Sequence, residues 1–248
     1  MWGRLFAIFI LLIAAAPAEA GCIDPAALAH STVGITRYFD DSDKNPRPGV
    51  LGIGGTGWFL SQTLMVTVGH VAAAMNLSDQ AWKQLDIRSG EIAQSIPARL
   101  RQVAGSQAEK VAVIELQTGF PGVPGLRVRM ERLVPEEPVA SVAYPGNRLR
   151  VAGGRFVHYG DGDKLAGTAL LEMYDGNDRL VLDNGASGAP VFDCEGRVVA
   201  VVSNLFTKAM QFLSRATKVS TPWGEPNVAS VPIQVLEDFV RTTRVEGD

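Results

Sequence analysis

Short runs of β-forming residues, each closed off by Gly, Pro, Asn or Asp, recur along the whole chain and leave few architectures open. Residues 32–39, 57–60, 64–68, 111–116, 139–144, 180–182 and 197–203 are runs of this kind. Many short strands with frequent turn signals point to a sandwich or barrel rather than to βαβ units. Helical signals are few. Residues 71–75 can make one turn after His70. Residues 232–241 (PIQVLEDFVR) put Pro in the first turn and align Ile233, Leu236, Phe239 and Val240 on one apolar stripe, which predicts a terminal helix docked on a β domain. The Pro- and Gly-rich segment 117–125 (QTGFPGVPG) is the candidate linker between two similar halves.

Residues 1–20 predict an export signal. Arg4 is followed by an apolar run over residues 5–16, and Pro17-Ala18-Glu19-Ala20 ends in an A-x-A cleavage pattern. The run falls short of the roughly 20 residues that span a bilayer. The expectation is therefore a periplasmic or secreted protein with no stable membrane insertion after cleavage. Cys22 lies close to the cut, but Glu19 three residues before it fits a lipidation signal poorly. Export would place Cys22 and Cys194 in an oxidising compartment, where one bridge between them is the only pairing two cysteines allow. Two cysteines also exclude a disulfide-dense scaffold and a four-cysteine zinc site.

Charge excludes a further class. Lys and Arg total 23 against 26 Asp and Glu, so there is no basic excess for a nucleic-acid partner. Two local motifs are set aside. Residues 52–57 match G-x-G-x-x-G, but strand-like sequence follows where a dinucleotide site needs a helix, so a turn is expected. Residues 41–45 resemble the start of a calcium loop, yet Pro46 and Gly52 occupy positions that need Gly and Glu, so a solvated loop is expected. His30, His70 and His158 with two distant cysteines give no metal-ligand spacing, and no metal is expected.

The segment that carries chemistry is Gly185-Ala186-Ser187-Gly188-Ala189-Pro190-Val191. Small residues around a serine let the backbone turn sharply, expose the hydroxyl and aim N–H groups at an incoming carbonyl oxygen. A nucleophile needs those features and a base to take its proton. His70 ends the apolar run 64–68 and opens a small-residue segment, which places it at an edge facing a cleft. Chain order discriminates between folds. An α/β-hydrolase runs Ser, acid, His, but no histidine follows position 187.

His before Ser is the chymotrypsin order, and the motifs resemble the trypsin-like serine peptidases of bacterial exported type. GTGWFL (55–60), MVTVGHV (65–71), VASVAYPG (139–146) and GASGAPVF (185–192) are similar to the family's early hairpin, histidine segment, second-barrel strand and nucleophile segment. The resemblance spans about residues 30–240. It implies an all-β fold of two packed six-stranded antiparallel β-barrels with a C-terminal helix. The first barrel is expected at about 30–117, the second at about 126–230 and the helix at about 232–241, all within one peptidase domain over 21–248.

The resemblance further implies a polypeptide substrate, no cofactor, His70 as general base, Ser187 as nucleophile, and an oxyanion hole from the N–H groups of Gly185 and Ser187. Ala186 replaces the Asp that trypsin-type zymogens use to bind a new N-terminus. Val181, Ser203 and Asn204, with Leu205, would line the first substrate pocket. The absence of Asp at 181 argues for a small or aliphatic preference over Arg or Lys. One position departs from the pattern. The family's third member opens a D-[IL]-A-[VL]-[IL]-x-L strand, and here that string is KVAVIEL, with Lys110 in the Asp position. Three readings stay open: Glu109 supplies the carboxylate through a bulge; another acid such as Asp86 serves, or a weak Ser–His dyad operates; or the chain binds peptides without cleaving them.

Overall fold

The computed structural model of the protein describes residues 28–40, 43, 49–105, 110–161, 165–177, 179, 182, 184–204 and 226–245. Strands β1 (Thr32–Tyr38), β2 (Gly52–Phe59), β3 (Leu64–Val68), β4 (Lys83–Ser89), β5 (Ile92–Gly105) and β6 (Lys110–Leu116) close into an antiparallel barrel in the order β1-β2-β3-β6-β5-β4. Strands β7 (Pro138–Ala143), β8 (Arg150–Tyr159), β9 (Ala169–Tyr174), β10 (Pro190–Phe192), β11 (Val198–Val202) and β12 (Val228–Pro232) close a second, in the order β10-β11-β12-β9-β8-β7. This is the expected all-β architecture of two six-stranded barrels. Closure leaves no unpaired edge to recruit another chain.

Burial explains which residues take which strand. In β4, Leu85 and Ile87 are buried while Gln84, Asp86 and Arg88 are exposed, the period of a sheet with one wet face. In β6, Val111, Ala112, Val113 and Ile114 are buried consecutively. Both faces are covered there, because helix α1 (Gly69–Ala74) and the 3₁₀ turn Ile233–Leu236 pack on the outside. That turn runs into helix α2 (Glu237–Val245). Ile233, Leu236, Phe239 and Val240 all join the hydrophobic cluster of the first barrel, together with Trp58, Phe59 and Ile114. The chain thus leaves the second barrel at β12 and returns to staple the first. No helix among the described residues is long and apolar enough to cross a membrane.

Three local expectations change. The string 52–57 is not a turn; it lies inside β2. Its glycines serve close approach, since a Cβ on Gly55 would come within 2.8 Å of Val71 and one on Gly57 within 2.9 Å of Met65. Asp43 is not solvated. Its carboxylate is fully buried between Arg37 (2.6 Å) and Lys83 (3.1 Å). Burial pushes that carboxyl up, but hydrogen bonds from Arg37, the Asp40 N–H and Lys83 outweigh it and hold the pKa at about 2. The run 180–182 does not form a strand at Leu182, which is buried outside any regular element, and residues 180 and 181 lie outside the described residues.

Candidate active site

The nucleophile loop is held from both barrels. Gly185 (φ 97°) and Gly188 (φ 94°) adopt left-handed backbone on either side of Ser187. A Cβ on Gly188 would stand 2.0 Å from the Thr56 carbonyl oxygen and 2.2 Å from Thr67 Oγ1, so only glycine fits. From the first barrel, the Thr56 N–H donates to the Ser187 carbonyl at 2.9 Å. From the second, Gly188 N–H donates to the Val202 carbonyl and Val202 N–H to the Ala189 carbonyl, at 2.9 and 2.8 Å. These bonds fix a turn that the small residues 185–189 permit and larger ones would obstruct.

His70 comes from the opposite wall. Strand β3 ends at Val68, whose extended backbone caps α1, and His70 is the second residue of that helix. Its Nε2 lies 3.1 Å from Ser187 Oγ, which joins residues 117 positions apart across the two barrels. The Asn204 N–H also donates to Ser187 Oγ, at 3.2 Å. In the tautomer that carries its proton on Nδ1, Nε2 accepts the Ser187 hydroxyl proton, the arrangement a general base needs. None of the backbone hydrogen bonds among the described residues uses the Gly185 or Ser187 N–H as donor. A cavity of about 380 Å³ opens beside Gly185, lined on the first barrel by Tyr38 and Gly55 and on the second by Tyr144 and Asn184.

The other sequence-predicted residues fall into three groups. Glu109, Val181, Leu205 and Cys22 lie outside the described residues. Cys194 is an exposed thiol whose Sγ lies 3.8 Å from the Pro138 carbonyl. Ser203 and Asn204 are buried at the end of β11, next to the nucleophile, and Ser203 is fixed by donation to the Ala229 carbonyl at 2.9 Å. Lys110 opens β6 against Gly69, the residue before the histidine. The register that pairs Val68 with Val111 sets Gly69 against Lys110, where a Cβ on Gly69 would come within 2.9 Å of the lysine Cβ. Asp86 stands on β4, three strands from β3 by either route around the first barrel, and is exposed.

The role of Thr56 and the backbone contact of Asn204 escape the sequence reading, which places Asn204 only in the pocket wall. Thr56 Oγ1 donates to the Gly185 carbonyl at 2.8 Å and accepts from the Tyr144 N–H at 3.0 Å. Asn204 reaches Ser187 by its backbone, which no side-chain pattern encodes.

A family model described as the trypsin-like peptidase domain matches residues 55–201. The active form of the Rv3671c protease from M. tuberculosis is 18% identical, with 88% of this chain and 82% of that chain covered and a TM-score of 0.54. Its inactive form is 17% identical, with 90% and 97% covered and the same TM-score. An inactive serine-to-alanine mutant of the protein from M. tuberculosis H37Rv is 17% identical, with 88% of each chain covered and a TM-score of 0.53. At these identities the likeness is one of fold. No curated protein matches the chain. The family match begins at the glycine before Thr56, takes in His70 and Ser187, ends on β11 and covers more than half of the sequence, so the chain belongs to the trypsin-like peptidase family.

Proposed function

We propose that the protein is an exported serine endopeptidase that hydrolyses polypeptides through an acyl-enzyme on Ser187. The observation that carries this reading is the 3.1 Å contact between His70 Nε2 and Ser187 Oγ. His70 takes the hydroxyl proton as Oγ attacks the scissile carbonyl and returns it to the leaving amine. Water then enters by the same base and releases the acid. The N–H groups of Gly185 and Ser187 receive the developing oxyanion, in keeping with their absence from the loop's own hydrogen bonds. Ser203 and Asn204 form one wall of the pocket for the residue before the cleaved bond, and the lack of Asp at 181 favours a small or aliphatic side chain there.

A second reading is favoured by Lys110. Its backbone is set against Gly69, and it stands in sequence where the family pattern has the carboxylate that supports the histidine, so the carboxylate expected there is missing from that position. On that reading the chain docks peptides without cleaving them. Fluorophosphonate labelling of the purified protein, read by intact mass beside Ser187→Ala, separates the two. A serine adduct that is lost in the variant supports the peptidase, whereas an unlabelled wild type over a broad pH range supports the binding protein. Glu109→Gln then tests the neighbouring carboxylate: slower labelling assigns it the supporting role, and unchanged labelling eliminates it in favour of another acid or a Ser–His dyad.

A further inference from the structure

We propose that Thr56 is a positioning residue whose hydroxyl latches the oxyanion-binding backbone of the other barrel. The proposal rests on the reading of Ser187 as nucleophile and assigns a role to a residue on β2, fully buried and without contact to the reacting atoms. Its Oγ1 carries two bonds across the interface between barrels: to the Gly185 carbonyl at 2.8 Å and from the Tyr144 N–H at 3.0 Å. The direction of both is fixed. An amide N–H can only donate, so the single hydroxyl proton goes to the carbonyl of Gly185.

The latch acts where the chain has least hold on itself. Gly185 sits at φ 97° with Pro145 so close that a Cβ would be 2.9 Å away, so the position has no side chain to anchor it. The same residue must present its N–H to the substrate oxygen. Fixing its carbonyl fixes the next peptide plane, because the peptide unit is rigid. Thr56 also holds the second donor residue, since its own N–H donates to the Ser187 carbonyl at 2.9 Å. With the carbonyls of residues 185 and 187 both tied to one threonine, the 185–186 and 187–188 peptide planes are fixed, and these adjoin the 184–185 and 186–187 planes that carry the two N–H groups, so the latch narrows the range over which those N–H groups can turn. Thr56 is itself braced, because Thr67 Oγ1 donates to its carbonyl at 2.7 Å.

Thr56→Val keeps the shape and removes the hydroxyl, leaving the Gly185 carbonyl and the Tyr144 N–H without that partner; Thr56→Ser restores it. Loss of an oriented donor geometry is expected to lower kcat about 10- to 100-fold with KM changed less than about twofold, and to weaken a peptide boronic acid by a similar factor. Thr56→Ser should stay within about threefold of wild type on both measures. Amide hydrogen exchange, followed by NMR, should quicken at Tyr144 by at least about tenfold in the valine variant and not in the serine variant. Wild-type kcat in Thr56→Val, a loss that serine does not rescue, or a loss confined to KM would overturn the proposal. If the wild type itself fails to label with a fluorophosphonate, the peptidase reading falls, and exchange still decides the latch: faster exchange at Tyr144 in Thr56→Val supports it, and unchanged exchange overturns it.

Discussion

Gly188 leaves no room for a side chain. An alanine there would meet the Thr56 carbonyl at 2.0 Å while holding a positive φ, so the nucleophile loop must move to accept it. Gly188→Ala is expected to cost at least about 2 kcal/mol in chemical denaturation and to abolish Ser187 labelling, because the loop cannot relax without releasing the turn. His70→Ala should slow that labelling by about 10³-fold or more while leaving the melting temperature close to wild type, since the histidine is only half-buried. Both residues were legible because their neighbours are small or apolar in a distinctive local string. Thr56 and the Asn204 N–H were not. Their bonds join positions 129 and 17 residues away; the first depends on how the two barrels meet and the second on how the end of β11 lies beside the nucleophile loop, which no local string records.

At the scale of elements, β1, β3, β6, β7 and β11 were readable from runs of β-forming residues between turn signals, and several other strands were not. β3 has the bounds its sequence predicts, and β6 differs by one residue. β8 was missed because Gly153-Gly154 reads as a turn. A Cβ on Gly154 would fall 1.8 Å from the Glu172 carbonyl, so this glycine serves the close crossing of β8 and β9. β4 and β5 were missed because their outer faces are polar and exposed. The β1–β2 connection gives a prediction of its own. Asp43 has its pKa lowered to about 2, below the ordinary carboxylate value, so its ion pairs with Arg37 and Lys83 contribute stability that is complete above about pH 4 and lost as pH falls towards 2. Asp43→Asn should therefore lower stability at pH 7 and flatten the acid limb of a stability–pH curve between about pH 4 and 2. An unchanged limb would show that other carboxyls set it. At the C-terminus, Leu236→Ala removes a fully buried side chain that ties the final turn to the first barrel. The expected cost is about 2–5 kcal/mol, measured by urea titration.

The whole molecule brings a base on one closed barrel to a serine on the other, and the returning helix keeps the first barrel tied to the end of the second. Neither half contains the pair alone: His70 follows β3, and Ser187 precedes β10. The two-barrel architecture was readable through the family resemblance that the His-then-Ser order and the motifs around residues 55–60, 65–71, 139–146 and 185–192 carry; the strand runs alone pointed only to a sandwich or barrel. The completion of the site by a third group was not, because Lys110 breaks the pattern at the position that decides it. Peptide-bond hydrolysis by Ser187 is the central claim. Its most direct measurement is incubation of the purified protein with a defined peptide library, read by mass spectrometry for new termini, beside Ser187→Ala. The account predicts cleavage after small or aliphatic residues by the wild type and none by the variant. Product formation equal in both proteins, or no cleavage of any peptide by a folded wild type, would contradict it.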